Sequence, residues 1–232
     1  MGGIFDDEIF KNDMRFERSF VRSLAGRTLQ ASDKTYKSLI ASGVKFSGLP
    51  HRKMMEFKIP NSQGIKNIFY PDSGIFIFKS SNFYLAICAT PLGQNGHGGH
   101  THNDKLGYEL WMDGLDIARD PGTYLYTPIP SRRNEFRSVK AHNVPIVDDL
   151  EQNSWGEGAI GLFGMFAECR CEVEDLGENF ISLAAEYKGV KIIRKFEIKE
   201  GKLEIIDMAN REFYYSKFEL YSNGYGKLMK NV

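Results

Sequence analysis

The sequence carries no excess of either charge: 30 Lys and Arg balance 30 Asp and Glu over 232 residues. A chain without a net field does not draw in nucleic acid or a polyanion as a whole, so an anionic partner has to be held by local basic residues. Long apolar runs are missing as well. No stretch approaches the roughly 20 apolar residues that cross a bilayer, so no helical membrane span is expected. The opening MGGIFDDEIFKNDMRF lacks the apolar core of a signal peptide, and none is expected in this chain. Cysteine is scarce: Cys88 stands alone, and Cys169 and Cys171 are two residues apart. On an extended backbone that spacing points both thiols the same way, which disfavours a mutual disulfide, so all three are expected to be reduced packing residues. There is no P-loop, no dinucleotide fingerprint, no Ser-centred elbow, no internal repeat and no low-complexity tract.

What is present is enough for one good core. Residues 1–45 are rich in charge, with Phe16, Phe20, Leu24 and Leu29 at helical spacing. They predict one or two helices with too little apolar surface for a domain, a helical connector. From Phe46 the pattern changes: Pro50, Pro60 and Pro71 and several glycines punctuate short segments. Strand signals then dominate, at Gly74–Lys79, Phe83–Thr90, Leu106–Met112, Leu115–Arg119, Asn143–Val147, Ile160–Val173, Phe180–Tyr187, Lys191–Ile198, Lys202–Met208 and Lys217–Tyr221. Asp113-Gly114 between two such runs marks a hairpin. Many short strands at even spacing, with no helix pattern between them, predict an all-β domain over residues 46–232, an antiparallel sandwich or stacked multi-sheet, with a short helical segment before it.

The chemistry concentrates between Gly93 and Asp149, where four of the five histidines lie: His97, His100, His102 and His142. On an extended backbone His100 and His102 share a face and reach one site. The Asp113-Gly114 hairpin returns Asp120 towards His102, and His142 opens another strand. Imidazoles with a carboxylate suit Zn²⁺ with a position left open, and Asp104 is placed to orient a ring. The bare spacing is equally compatible with histidines making ordinary hydrogen bonds in a Gly-rich loop.

Three motifs in order carry a resemblance: Gly99-His100-Thr101-His102-Asn103-Asp104, then Asp120-Pro121-Gly122-Thr123-Tyr124, then Arg137-Ser138-Val139-Lys140-Ala141-His142-Asn143. With the aromatic-rich YPDSGIFIFKS before them, the segment Phe69–Asp149 resembles the C-terminal β-domain of the heparinase II/III-like polysaccharide lyases, a supersandwich-like architecture. The resemblance implies that His102, Asp120 and His142 ligate a zinc ion that is mainly structural, and that His100 faces substrate and takes part in catalysis. Arg137 and Asn143 match the third motif and are expected, with Tyr124, at the substrate. The implied reaction is β-elimination at a uronic acid in an acidic polysaccharide, with developing carboxylate charge offset by positioned donors and a Tyr or His as base and acid. In the family, the Tyr base and the groups gripping the carboxylate come from an N-terminal α/α toroid. Residues 1–45 match at most its tail, so the chain is expected to supply one wall of a site completed by a toroid domain or subunit.

Alternatives stand beside this reading. The domain serves without catalysis, as an acidic-glycan-binding or structural sandwich, or it is an unrelated metal-dependent β-sandwich such as a cupin-like oxygenase, which would need an open iron site. Tyr124 and Tyr126 line a sugar cleft or pack on a strand edge. Arg132, Arg133 and Arg137 form a basic cluster in a Pro-containing loop that reads a carboxylated or sulfated sugar, the first two being equally compatible with a solvated loop. His97 is expected in a mobile loop, His51 exposed, and Trp111 and Trp155 in the core or on a sheet face. Related lyases are often periplasmic, but localisation is left open.

Overall fold

A computed structural model describes residues 49–230. The expected helical connector lies outside these residues. The described chain forms fourteen strands: β1 (His51–Lys58), β2 (Lys66–Tyr70), β3 (Ile75–Lys79), β4 (Phe83–Cys88), β5 (Tyr108–Met112), β6 (Leu115–Ala118), β7 (Pro145–Ile146), β8 (Arg170–Leu176), β9 (Phe180–Tyr187), β10 (Val190–Lys199), β11 (Lys202–Ala209), β12 (Tyr214–Tyr215), β13 (Leu220–Tyr221) and β14 (Met229–Lys230). Two five-stranded antiparallel sheets dominate, one ordered β1-β11-β10-β9-β8 and the other β2-β3-β4-β5-β6. The mostly-β, antiparallel expectation holds.

Period-two alternation builds the core. Phe76 and Phe78 of β3, Leu85 and Ile87 of β4 and Leu110 of β5 meet Leu183 of β9, Ile192 and Phe196 of β10 and Leu203 and Ile205 of β11 in one cluster. Tyr108 and Phe196 close edge to face across it, with centroids 5.6 Å apart. Two-residue turns set the registers. Asp113-Gly114, Lys188-Gly189 and Glu200-Gly201 each place two positive φ angles in succession, the geometry that matches strand twist.

Three readings need correction. β1 and β2 are missing from the sequence-based strands; β1 is a charge-rich edge strand, and edges carry such residues to block further pairing. The expected strand at Ile160–Val173 is instead a short helix, α2 (Gly158–Leu162), then irregular chain, with β8 starting only at Arg170. Close backbone approach explains it: a Cβ on Gly161 would lie 1.8 Å from the Gly156 carbonyl oxygen. The supposed loop holding the arginine cluster is helical, α1 (Pro130–Arg137), opened by Pro130 at a position that needs no N–H.

Candidate metal centre and its exposed wall

The first motif lies in the long β4–β5 connection. Its ends are pinned as a continuation of the strand pair: Leu106 N–H donates to the Cys88 carbonyl at 2.8 Å and Cys88 N–H to that of Gly107 at 2.9 Å. Between them the chain leaves the sheet, so His100 and His102 do not share a strand face as expected. His102 is buried, at 8% exposure, whereas His100 is exposed. The second motif supplies Asp120 from the turn after β6, where Gly122 N–H donates to Asp120 Oδ1 at 2.8 Å and leaves Oδ2 free to meet His142 Nδ1 at 2.9 Å. The third motif follows α1 through a 3₁₀ turn, Val139–Ala141, that ends at His142.

Two other chain segments hold these loops together. The Glu151 carboxylate accepts from Asn103 Nδ2 at 2.6 Å and Val139 N–H at 2.8 Å, and also from the Ser138 hydroxyl. It thereby ties the first motif to the third. Gln152 exchanges hydrogen bonds with both backbone groups of Lys105, each at 2.9 Å. From inside the sandwich, Arg194 of β10 forms a bidentate pair with Asp207 of β11, at 2.6 and 2.8 Å. Its remaining N–H groups reach the carbonyls of Leu106 at 2.8 Å and Asn143 at 2.7 Å. A sequence signal for Arg194 existed: it interrupts the inward-facing series Ile192, Phe196, Ile198, and Asp207 interrupts that of Leu203 and Ile205.

His102, Asp120 and His142 converge, with their nearest ligand-type atoms all within 4.8 Å of one another. The two rings lie 5.3 Å apart at centroid. The set fits a zinc ion on the donor chemistry, and one atom asks for it: His142 Nε2 is buried without a hydrogen-bond partner. Burial, then the neighbouring His142 charge, lowers His102 to about 3. Burial alone would raise Asp120, but the charge and hydrogen bond of His142 outweigh it and bring the carboxyl to about 2. Burial alone would lower His142, but Asp120 raises it above its ordinary value. The centre thus sets a His102 that resists protonation beside a His142 whose proton Asp120 holds more tightly. The Asp104 carboxylate, expected to orient a ring, pairs with Lys105 Nζ at 3.1 Å. Glu109, which sequence reasoning missed, lines a cavity of about 240 Å³ with Arg119, Asp120 and His142. Burial and then the Asp120 charge push its carboxyl up to about 7.

On the outer side His100 Nδ1 lies 3.2 Å from the Tyr126 hydroxyl. Tyr126 runs near-parallel to Phe163 and to Tyr225, with centroids 5.9 and 6.2 Å away. Phe163 and Tyr225 are exposed. Tyr124 packs on Phe136 at 5.2 Å in a left-handed conformation, φ 61°. Arg137 and Asn143, expected at the substrate, make contacts within the chain. Arg137 is buried against the Trp155 ring at 4.3 Å, donating to the carbonyls of Gly161 at 2.6 Å and Leu162 at 3.4 Å. Asn143 spends its amide on both backbone groups of Tyr108. Arg133 is fully buried too, not solvated, and sits at His102. Arg132 pairs with Glu135 on the helix surface. His97 is exposed in its loop, and Trp111, Trp155 and His51 are half-buried.

The family model "Heparinase II/III-like, C-terminal" matches residues 63–213, a span that contains all three motifs. The chain belongs to that family. Among solved structures, the heparinase-like fold is shared with heparan sulfate lyase HepC from Pedobacter heparinus, at 15% identity and TM-score 0.51, over 73% of this chain and 33% of that one. A structure described as heparinase III, the BT4657 gene product, aligns at 18% identity and TM-score 0.49 over 72% of this chain and 32% of that one. This heparinase-like chain therefore spans about a third of the length of those structures. A search of the curated proteins finds no sequence match. Among the described residues no helix is long and apolar enough to cross a membrane.

Proposed function

We propose that the chain is the metal-binding wall of a polysaccharide lyase, a carbon–oxygen lyase that cleaves a uronic-acid-containing polysaccharide by β-elimination. The observation that carries this reading is the division of labour between the two histidines of one motif. His102 turns inward to Asp120 and His142, while His100 stays exposed, in contact with the Tyr126 hydroxyl. A bound Zn²⁺ would be held by His102, Asp120 and His142 and would stiffen the loops carrying that wall.

In β-elimination a base takes the proton beside the uronate carboxylate, and the 4-linked sugar leaves with a proton returned to its oxygen. His100 supplies an imidazole at that surface, and Tyr126 sets its orientation through Nδ1, leaving Nε2 as the group that faces substrate. The acidic sugar finds a neutral overall field, so local groups must offset its carboxylate. The remaining acid–base groups come, on this reading, from an α/α toroid domain or subunit.

The test is incubation with heparosan, alginate and related uronates, alone and with a family toroid, while following the ultraviolet absorbance of an unsaturated uronide. Absorbance that appears with one polymer and is lost in His100→Ala supports the reading. No absorbance with any polymer and toroid overturns it. Binding without cleavage under all conditions assigns the chain instead as an acidic-glycan-binding domain.

A further inference from the structure

We infer that the Arg133 guanidinium and a divalent metal ion exclude one another at His102, so that Arg133 acts as the internal occupant of the centre until metal displaces it. The inference rests on the metal-centre reading and adds a competitor from the chain itself.

Arg133 Nη1 lies 2.9 Å from His102 Nε2. A guanidinium has donors only, so Nε2 must present its lone pair, and a neutral imidazole then carries its proton on Nδ1. A metal also needs a bare ring nitrogen. If it binds through Nε2, it takes the lone pair that Arg133 uses. If it binds through Nδ1, the proton moves to Nε2 and two N–H groups face each other. Both routes break the Arg133 contact, and a cation beside a dication in a water-poor site adds repulsion.

Little else holds the guanidinium. Nε and Nη2 of Arg133 are buried with no hydrogen-bond partner, and among the described residues no carboxylate pairs with it. The nearby ring of Tyr126, 5.2 Å from the guanidinium carbon, offers a cation–π face. A buried side chain with one hydrogen bond and two orphan donors is poised to move.

The test is zinc affinity, measured by competition with a chromophoric chelator, for the full chain and for Arg133→Met, with His102→Ala as control. Removing a charge-assisted competitor should tighten binding about ten- to a hundredfold. Equal or weaker affinity in the variant overturns this inference alone and leaves the metal centre standing. No uptake by either chain overturns both. A second readout needs no folded variant: nitrogen-15 spectra of arginine side chains in the native chain. The Arg133 Nε–H signal should shift at one equivalent of zinc while that of Arg194 stays; an unmoved Arg133 signal at saturating zinc overturns the inference.

Discussion

Among the described residues three arginines are fully buried, and two of them, Arg194 and Arg133, live under opposite conditions. Arg194, inside the sandwich, has a bidentate carboxylate and two loop carbonyls as acceptors. Arg133, in the loop layer, has one imidazole nitrogen and two donors left over. Burying a charge is costly unless partners compensate it. The sandwich meets that cost and holds the site loops from below; the loop layer leaves it partly unmet, where a ligand is expected. The difference separates scaffold from site more sharply than burial does, since burial is the same for both.

The largest effect should follow from breaking the satisfied pair. Arg194→Met leaves the buried Asp207 carboxylate without its cation, held only by the Tyr215 hydroxyl, and urea denaturation should show a loss of about 3–5 kcal/mol. The double variant Arg194→Met/Asp207→Leu should recover much of that loss, and no recovery would mean that the two loop carbonyls matter more than the ion pair. Glu151→Gln comes next: it weakens the charge-assisted links between the first and third motifs, with an expected cost of about 1.5–3 kcal/mol and weaker zinc uptake by the same chelator assay.

The metal side of the comparison has a pH signature. His142 is raised by Asp120, so its contribution to stability is fully present below the unfolded value near 6.5 and lost as pH rises through the folded one. Asp120, held at about 2, contributes above its unfolded value and loses that as pH falls towards 2. His102, lowered to about 3, is neutral when folded and disfavours the fold as pH drops below 6.5. Zinc needs both imidazoles bare, and of the two it is His142 that Asp120 helps to keep its proton as pH falls. Zinc affinity should therefore fall about tenfold per pH unit below the His142 value, and a flat profile from about pH 8 to 5 would contradict the raised His142. Chelation should lower the melting temperature, by an amount set by zinc concentration over Kd.

The smallest effect on stability belongs to the exposed wall. Tyr126→Phe removes the hydroxyl at His100 and should change stability by less than about 0.5 kcal/mol. It should shift the His100 imidazole resonances all the same.

Much of this was legible in the sequence, and the gaps have physical causes. Alternation in Lys191–Ile198 and Lys202–Met208 marks strands because their two faces meet different surroundings, and Asp113-Gly114 marks a hairpin because its turn needs positive φ. Edge strand β1 escaped because charge, not alternation, is what an edge needs. That His102, Asp120 and His142 would come together was legible through their motifs. Which histidine turns inward was not legible in spacing alone, because the chain between Cys88 and Gly107 is loop rather than strand. The fates of Arg133 and Arg137 depend on a helix opened by Pro130, whose eight residues carry a weak apolar pattern. Glu151 was invisible, since only the folded chain brings it to Asn103 and Val139.

The pairing of β1 with β11 also sets an order of assembly. Strands β8 to β11 follow one another through short turns and can zip locally, but β1 must find a partner at the far end of the sequence, His51 opposite Ala209. During synthesis β1 is made before β11 and waits for it. The nascent chain therefore carries an unpaired, charge-rich strand while the meander that will receive it is still being translated, and the lysines, arginine and glutamate of β1 keep that waiting strand soluble.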